Sequence, residues 1–128
     1  MKLSAKFLKN VAGVNNFQYA DQWDISEGSA QTLHFQIIDK LKDDLRYMTQ
    51  ATAYSVSVTF LDLDTEEEIV KTATQAWADD KSIWYVSLDA DEVPNSGAVA
   101  FSITEDGVEK KFKVNQAIVV DLLEDGSC

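Results

Sequence analysis

His34 is the one histidine of the chain and Cys128 its one cysteine, so nucleophilic or zinc chemistry must start from those two. A Ser-His-Asp or Cys-His site needs an imidazole held against a nucleophile. His34 stands on the polar parity of Thr32-Leu-His-Phe-Gln36 and reads as a solvent-facing strand residue. Cys128 is the last residue and reads as an exposed, unpaired thiol. One His and one Cys cannot close a zinc site by themselves. A disulfide between chains would need an oxidising compartment that nothing else implies. The acids Asp62, Asp64, Glu66, Glu67 and Glu68 could offer oxygen ligands to calcium. Their run lacks the glycine and spacing of an EF-hand loop, so a solvated hairpin tip is the better reading. Paired carboxylates can hydrolyse glycosides, but among 22 acids some pair meets that separation by chance. Gly13, Gly28, Gly97, Gly107 and Gly126 stand singly, which leaves no glycine-rich phosphate loop. The expectation is a chain with no catalytic residue, no cofactor and no metal: not an enzyme.

The aromatic residues offer a different kind of chemistry. Trp23, Trp77, Trp84 and Tyr47 could stack on surface glycans, as in carbohydrate-binding β-sandwiches. The competing reading puts tryptophan in the core or at a subunit interface, because its apolar area dominates its energetics.

Charge narrows the partners. The chain carries 22 acids and 11 bases, a net charge of −11. Such a body repels a phosphate backbone, so no nucleic acid is expected. Lys2, Lys6 and Lys9 fall in the first sixteen residues, which hold no acid. Residues 1–16 therefore read as a basic arm suited to docking on a copy of the chain or an acidic neighbour. The plainer alternative is a solvated terminus. The expected interface residues are Lys2, Lys6, Phe7 and Lys9 on the arm, with Tyr47 and Trp77 on the body. Lys6, Lys9 and Asn10 interrupt the apolar run that a secretion signal would need. No segment has the length of a membrane helix, so no membrane partner is expected.

The elements that must position these residues are strands. Asp106-Gly107 supplies the positive φ angles of a two-residue hairpin loop. That loop pairs Glu105 with Val108, Ile103 with Lys110, Phe101 with Phe112 and Val99 with Val114. Phe17 to Ile25 reads as a strand, as do Ser29 to Asp39 with Leu33, Phe35 and Ile37 in one parity, and Ala53 to Leu61 with Tyr54, Val56, Val58 and Phe60 inward. Over residues 40 to 50 Leu41, Leu45 and Met48 fall at helical spacing, but the favoured reading is a charged turn at Lys42-Asp43-Asp44 and a short edge strand with Leu45, Tyr47 and Thr49. Ile69 to Trp77 and Ser82 to Leu88 follow, then one helical turn at Asp89-Ala-Asp-Glu92. Ile118, Val120 and Leu122 form a last strand. Seven or eight strands at this cadence point to an all-β, antiparallel, immunoglobulin-like β-sandwich over residues 17–123, with a small barrel as the main rival and a frayed tail at 124–128.

Thr32-Leu-His-Phe-Gln-Ile-Ile-Asp39, Arg46-Tyr47, Ala53-Tyr-Ser-Val-Ser-Val-Thr-Phe60, Asp80-Lys-Ser-Ile-Trp-Tyr-Val-Ser-Leu88 and Ser96-Gly-Ala-Val-Ala-Phe-Ser-Ile-Thr-Glu-Asp-Gly107, in that order, resemble small bacteriophage virion proteins. The run is similar to the immunoglobulin-like domain at the N-terminus of phage baseplate upper proteins, and it covers roughly residues 17 to 122. Those proteins continue into long further regions, whereas this chain stops. The resemblance implies a structural or adaptor subunit, capsid- or tail-associated, that assembles with other virion proteins or with copies of itself. It implies a location in the virion after synthesis in the host cytoplasm. It carries over no catalytic residue.

Overall fold

The computed structural model describes residues 3–10, 17–39, 46–47, 54–77, 80–105 and 107–121. These form strands β1 (Leu3–Asn10), β2 (Phe17–Ala20), β3 (Trp23–Ser26), β4 (Gln31–Asp39), β5 (Arg46–Tyr47), β6 (Tyr54–Leu61), β7 (Glu68–Thr72), β8 (Thr74–Trp77), β9 (Asp80–Leu88), β10 (Gly97–Glu105) and β11 (Val108–Asp121). The first sheet has the order β2-β1-β4-β9-β8, with β5 also on β4; the second has the order β3-β11-β10-β6-β7. The pairing is antiparallel throughout except for β3, which runs parallel to the C-terminal part of β11. The architecture is a β-sandwich-like pair of sheets around one core.

That core draws alternate residues from both layers. Phe7, Leu33, Phe35, Ile37, Trp84, Val86 and Leu88 come from the first sheet. Trp23, Ile25, Val56, Val58, Phe60, Val99, Phe101 and Ile103 come from the second. Trp23 ties the layers: its ring meets Phe7 edge-on at 4.8 Å, and its Nε1–H donates to the His34 carbonyl at 2.7 Å. The β10–β11 register is the one expected from Asp106-Gly107, from Glu105↔Val108 to Val99↔Val114. Gly107 holds φ +80, and Phe101 stacks on Phe112 at 5.0 Å and 10°. Gln116 at φ 55 then absorbs an irregularity, so that Gly97 meets Ile118.

Several expectations are corrected. Eleven described strands replace seven or eight, partly because two runs read as single strands each divide between the sheets. Residues 17–20 join the first sheet and 23–26 the second, with the chain crossing at Asp21-Gln22. Likewise β7 lies in the second sheet and β8 in the first, with buried Ala73 between them donating its N–H to Val56 at 2.8 Å. Residues 3–10, expected within an arm outside the domain, form an inner strand between β2 and β4. Phe7 and Leu8 are adjacent and both buried, one on each face, which erases the period-two signal. The helical turn at Asp89–Glu92 is a non-helical turn: Glu92 N–H donates to the Asp89 carbonyl, and the Glu92 carboxylate accepts from Asp89 N–H at 2.8 Å. Asp106, the turn at 42–44, Leu122, the tail and Cys128 lie outside the described residues.

Candidate interaction surface

Among the described residues His34, Asp62 and Glu92 are engaged in structure. His34 is half-buried rather than solvent-facing, with its ring 5.9 Å from Tyr85, and burial lowers its pKa from the ordinary value. It is drawn in because the outward face of the first sheet is itself covered: Leu8, Gln36, Ile38 and Ile83, which alternate away from the core, are all buried. Asp62 closes the β6–β7 connection by accepting the N–H groups of Thr65 and Asp64 at 3.0 and 2.9 Å. Those two donors hold its carboxyl below the usual carboxylate range, against a weaker effect of desolvation. For Glu92, burial pushes the pKa up, but the Asp89 N–H and the Lys71 ammonium at 2.7 Å outweigh it and the net shift is down. Among the described residues no group of three or more His, Cys, Asp or Glu side chains converges as a metal site.

The expected interface residues separate. Lys6 lies on the outward face of β1, with its Nζ 4.7 Å from the centre of the Tyr19 ring, a cation–π contact. Tyr19 is 60% exposed and donates its hydroxyl to Gln36 Oε1 at 3.0 Å. Phe7 is a correction: at 3% exposure it belongs to the core, facing Trp23 and Phe101, and is closed to any partner. Lys9 is exposed and borders a hollow of about 220 Å³ with Gln22, Trp23, Asp24 and His34. That is smaller than the ~300 Å³ at which ligand sites begin. Tyr47 and Trp77 lie in β5 and β8, and their side chains, like the whole of Lys2, fall outside the description. Of the proposed glycan platform, Trp23 and Trp84 are core residues at 3% and 1% exposure.

Sequence reasoning missed the outward face of the second sheet. There Leu61 and Val70 are 48% and 57% exposed, and Val70, Thr59, Ala100 and Lys113 form one cross-strand row. Beside it Leu61, Leu63, Ala98 and Ala100 floor an open hollow of about 550 Å³, with Glu68 on one side and Lys113 on the other. The signal was present in the alternation: Leu61 ends the polar parity Ser55-Ser57-Thr59, and Val70 sits between Glu68 and Thr72 on the same face. Large apolar residues on the solvent parity are the pattern that marks a contact surface.

No protein-family model matches the chain, and no curated protein matches it.

Proposed function

We propose that this chain is a non-enzymatic structural or adaptor protein of a bacteriophage virion, an immunoglobulin-like sandwich that works through contacts with other virion proteins or with copies of itself. The observation that carries this reading is the outward face of the second sheet, where exposed Leu61 helps floor a broad, shallow hollow and exposed Val70 lies in the adjoining cross-strand row. Such a surface suits a protein partner better than a small substrate, since it is wide, open and floored by apolar side chains. The engagement of His34, Asp62 and Glu92 in packing, turn and ion-pair roles supports the same reading. The test is quantitative mass spectrometry of particles purified to constant density from the phage whose genome encodes the chain. A fixed copy number per particle is expected, and loss of the protein during purification overturns the proposal. The rival glycan reading now rests on Trp77 and Tyr47, and a glycan array in which Trp77→Ala or Tyr47→Ala abolishes binding would favour it.

A further inference from the structure

We propose that the two ends of the second sheet are complementary open edges, and that a second copy of this chain adds its β7 to the β11 edge of the first, antiparallel, in a head-to-tail series. The proposal deepens the assembly reading above and names the surface that would perform it.

The backbone makes both edges available. β7 ends the second sheet, with β6 on one side and no described strand on the other. The bonds from Ala73 N–H to the Val56 carbonyl and from Asp62 N–H to the Glu67 carbonyl fix the alternation of that ladder. Residues 67, 69, 71 and 73 bond to β6, so the N–H and C=O groups of Glu68, Val70 and Thr72 point away from it. At the other end, β3 covers only Ile118 to Asp121 of β11, and Val108 to Val114 has no described strand on that side. The two-residue loop makes Glu105 and Val108 a hydrogen-bonded pair, so Glu109, Lys111 and Lys113 turn their backbone groups toward the open side. The five residues of β7 span about 17 Å, and the open seven-residue stretch of β11 spans about 23 Å. The incoming strand fits.

Charge and shape agree with the backbone. Lys111 and Lys113 are exposed on the β11 edge of an otherwise acidic protein, and Glu66, Glu67 and Glu68 are exposed where the chain enters β7. Lysine on an edge discourages pairing with a like edge. Opposite an acidic strand Lys113 forms a favourable cross-strand pair with Glu68, and Lys111, which also holds Glu109 at 3.1 Å, lies diagonal to the same acid. A register that sets Glu68 opposite Lys113 also sets Ile69 opposite Phe112 on the inward face. It brings Lys71 opposite Lys110, a like pair whose first member already holds Glu92 at 2.7 Å. Beside this edge the sheets part to leave a hollow of about 350 Å³ lined by Ala5, Lys6, Phe7, Tyr19, Asp21 and Val114. It offers room for the inward side chains of an added strand. Because one patch meets a different patch, the contact is heterologous and generates a ring or an open filament.

The test is sedimentation velocity of the full chain over a concentration series at low and high salt. The wild type is expected to form a salt-sensitive series of oligomers. The reversals Lys111→Glu with Lys113→Glu, and Glu67→Lys with Glu68→Lys, each place like charges at every junction. Each is expected to weaken association about tenfold or more. An equal mixture of the two is expected to regain wild-type assembly, because every junction is again of opposite sign. Val70→Pro removes an edge N–H that β6 does not use, and is expected to block assembly with an unchanged circular dichroism spectrum and melting temperature. A monomeric wild type, reversal variants that assemble like wild type, or a mixture that stays dissociated would each overturn the proposal. So would a monomeric wild type that binds a poly-glutamate peptide, which would replace the second copy by an acidic partner. None of these results alters the particle composition that the mass-spectrometric test reads, so the two proposals fail separately.

Discussion

Trp23→Phe is the most informative single perturbation, because Trp23 belongs to the second sheet and hydrogen-bonds to the first. Its ring is 3% exposed and stands 4.8 to 6.2 Å from Phe7, Phe35, Phe60 and Phe101. Phenylalanine keeps one ring in place but leaves about 40 Å³ empty, which costs about 1 kcal/mol at ~24 cal/mol per Å³. It also deprives the His34 carbonyl of a donor now at 2.7 Å. Losing this bond at a part-buried acceptor costs about 1–3 kcal/mol. The sum is about 2–4 kcal/mol, a large share of the ~5–15 kcal/mol that holds a domain of this size together. Urea unfolding followed by far-ultraviolet circular dichroism should show a lower midpoint with an unchanged slope, and the melting temperature should fall by about 8–15 °C. Val70→Thr, at an exposed position, serves as the control and should stay within about 0.5 kcal/mol of wild type. A loss below about 1 kcal/mol in Trp23→Phe would refute the claim that this residue couples the two layers.

Four further outcomes are expected. A double-mutant cycle on Phe101→Ala and Phe112→Ala, read by chemical denaturation, should give a coupling of about 1 kcal/mol for the stacked pair. Gly107→Ala meets nothing within 4 Å, so only the φ of +80 opposes it; thermal melts should show a loss of about 1 kcal/mol, with Gly107→Asn milder. Burial lowers the His34 pKa, so its unfolded form binds protons more readily; stability should be full above about pH 6.5 and fall as pH drops through the depressed native value. His34→Gln should flatten that slope in melts across pH 5 to 8. The Glu92 pKa is likewise net depressed, so its contribution with Lys71 should be lost only as pH falls through the acid range, and Lys71→Met should remove that part of the acid sensitivity.

Local sequence alone settled the strands whose two faces meet different surroundings. Ala53 to Leu61 alternates cleanly because one face meets the core and the other is largely polar, and β6 lies there; Ser29 to Asp39 was legible because Thr32, His34 and Gln36 keep a polar parity even though that face of β4 is mostly covered. The hairpin register was legible because Gly107 and a two-residue loop admit one pairing. β1 was illegible for the converse reason: with Phe7 and Leu8 both covered, no parity remains to read, and lysines made the segment resemble a solvated arm. The same limit applied to function. Phe7, offered as a contact residue, was consumed by the core, whereas Leu61 and Val70 emerged as neighbouring exposed apolar residues only once their strands were placed side by side. Periodicity reports which side of its own strand a residue occupies. It does not report whether another layer lies above that side, where a run such as Ile69 to Trp77 crosses between sheets, or which distant strand ends a sheet. Those depend on long-range pairing, and the tertiary structure decided them: the two-sheet layout, the parallel β3–β11 contact, and the exposure of Leu61 and Val70 side by side on the second sheet.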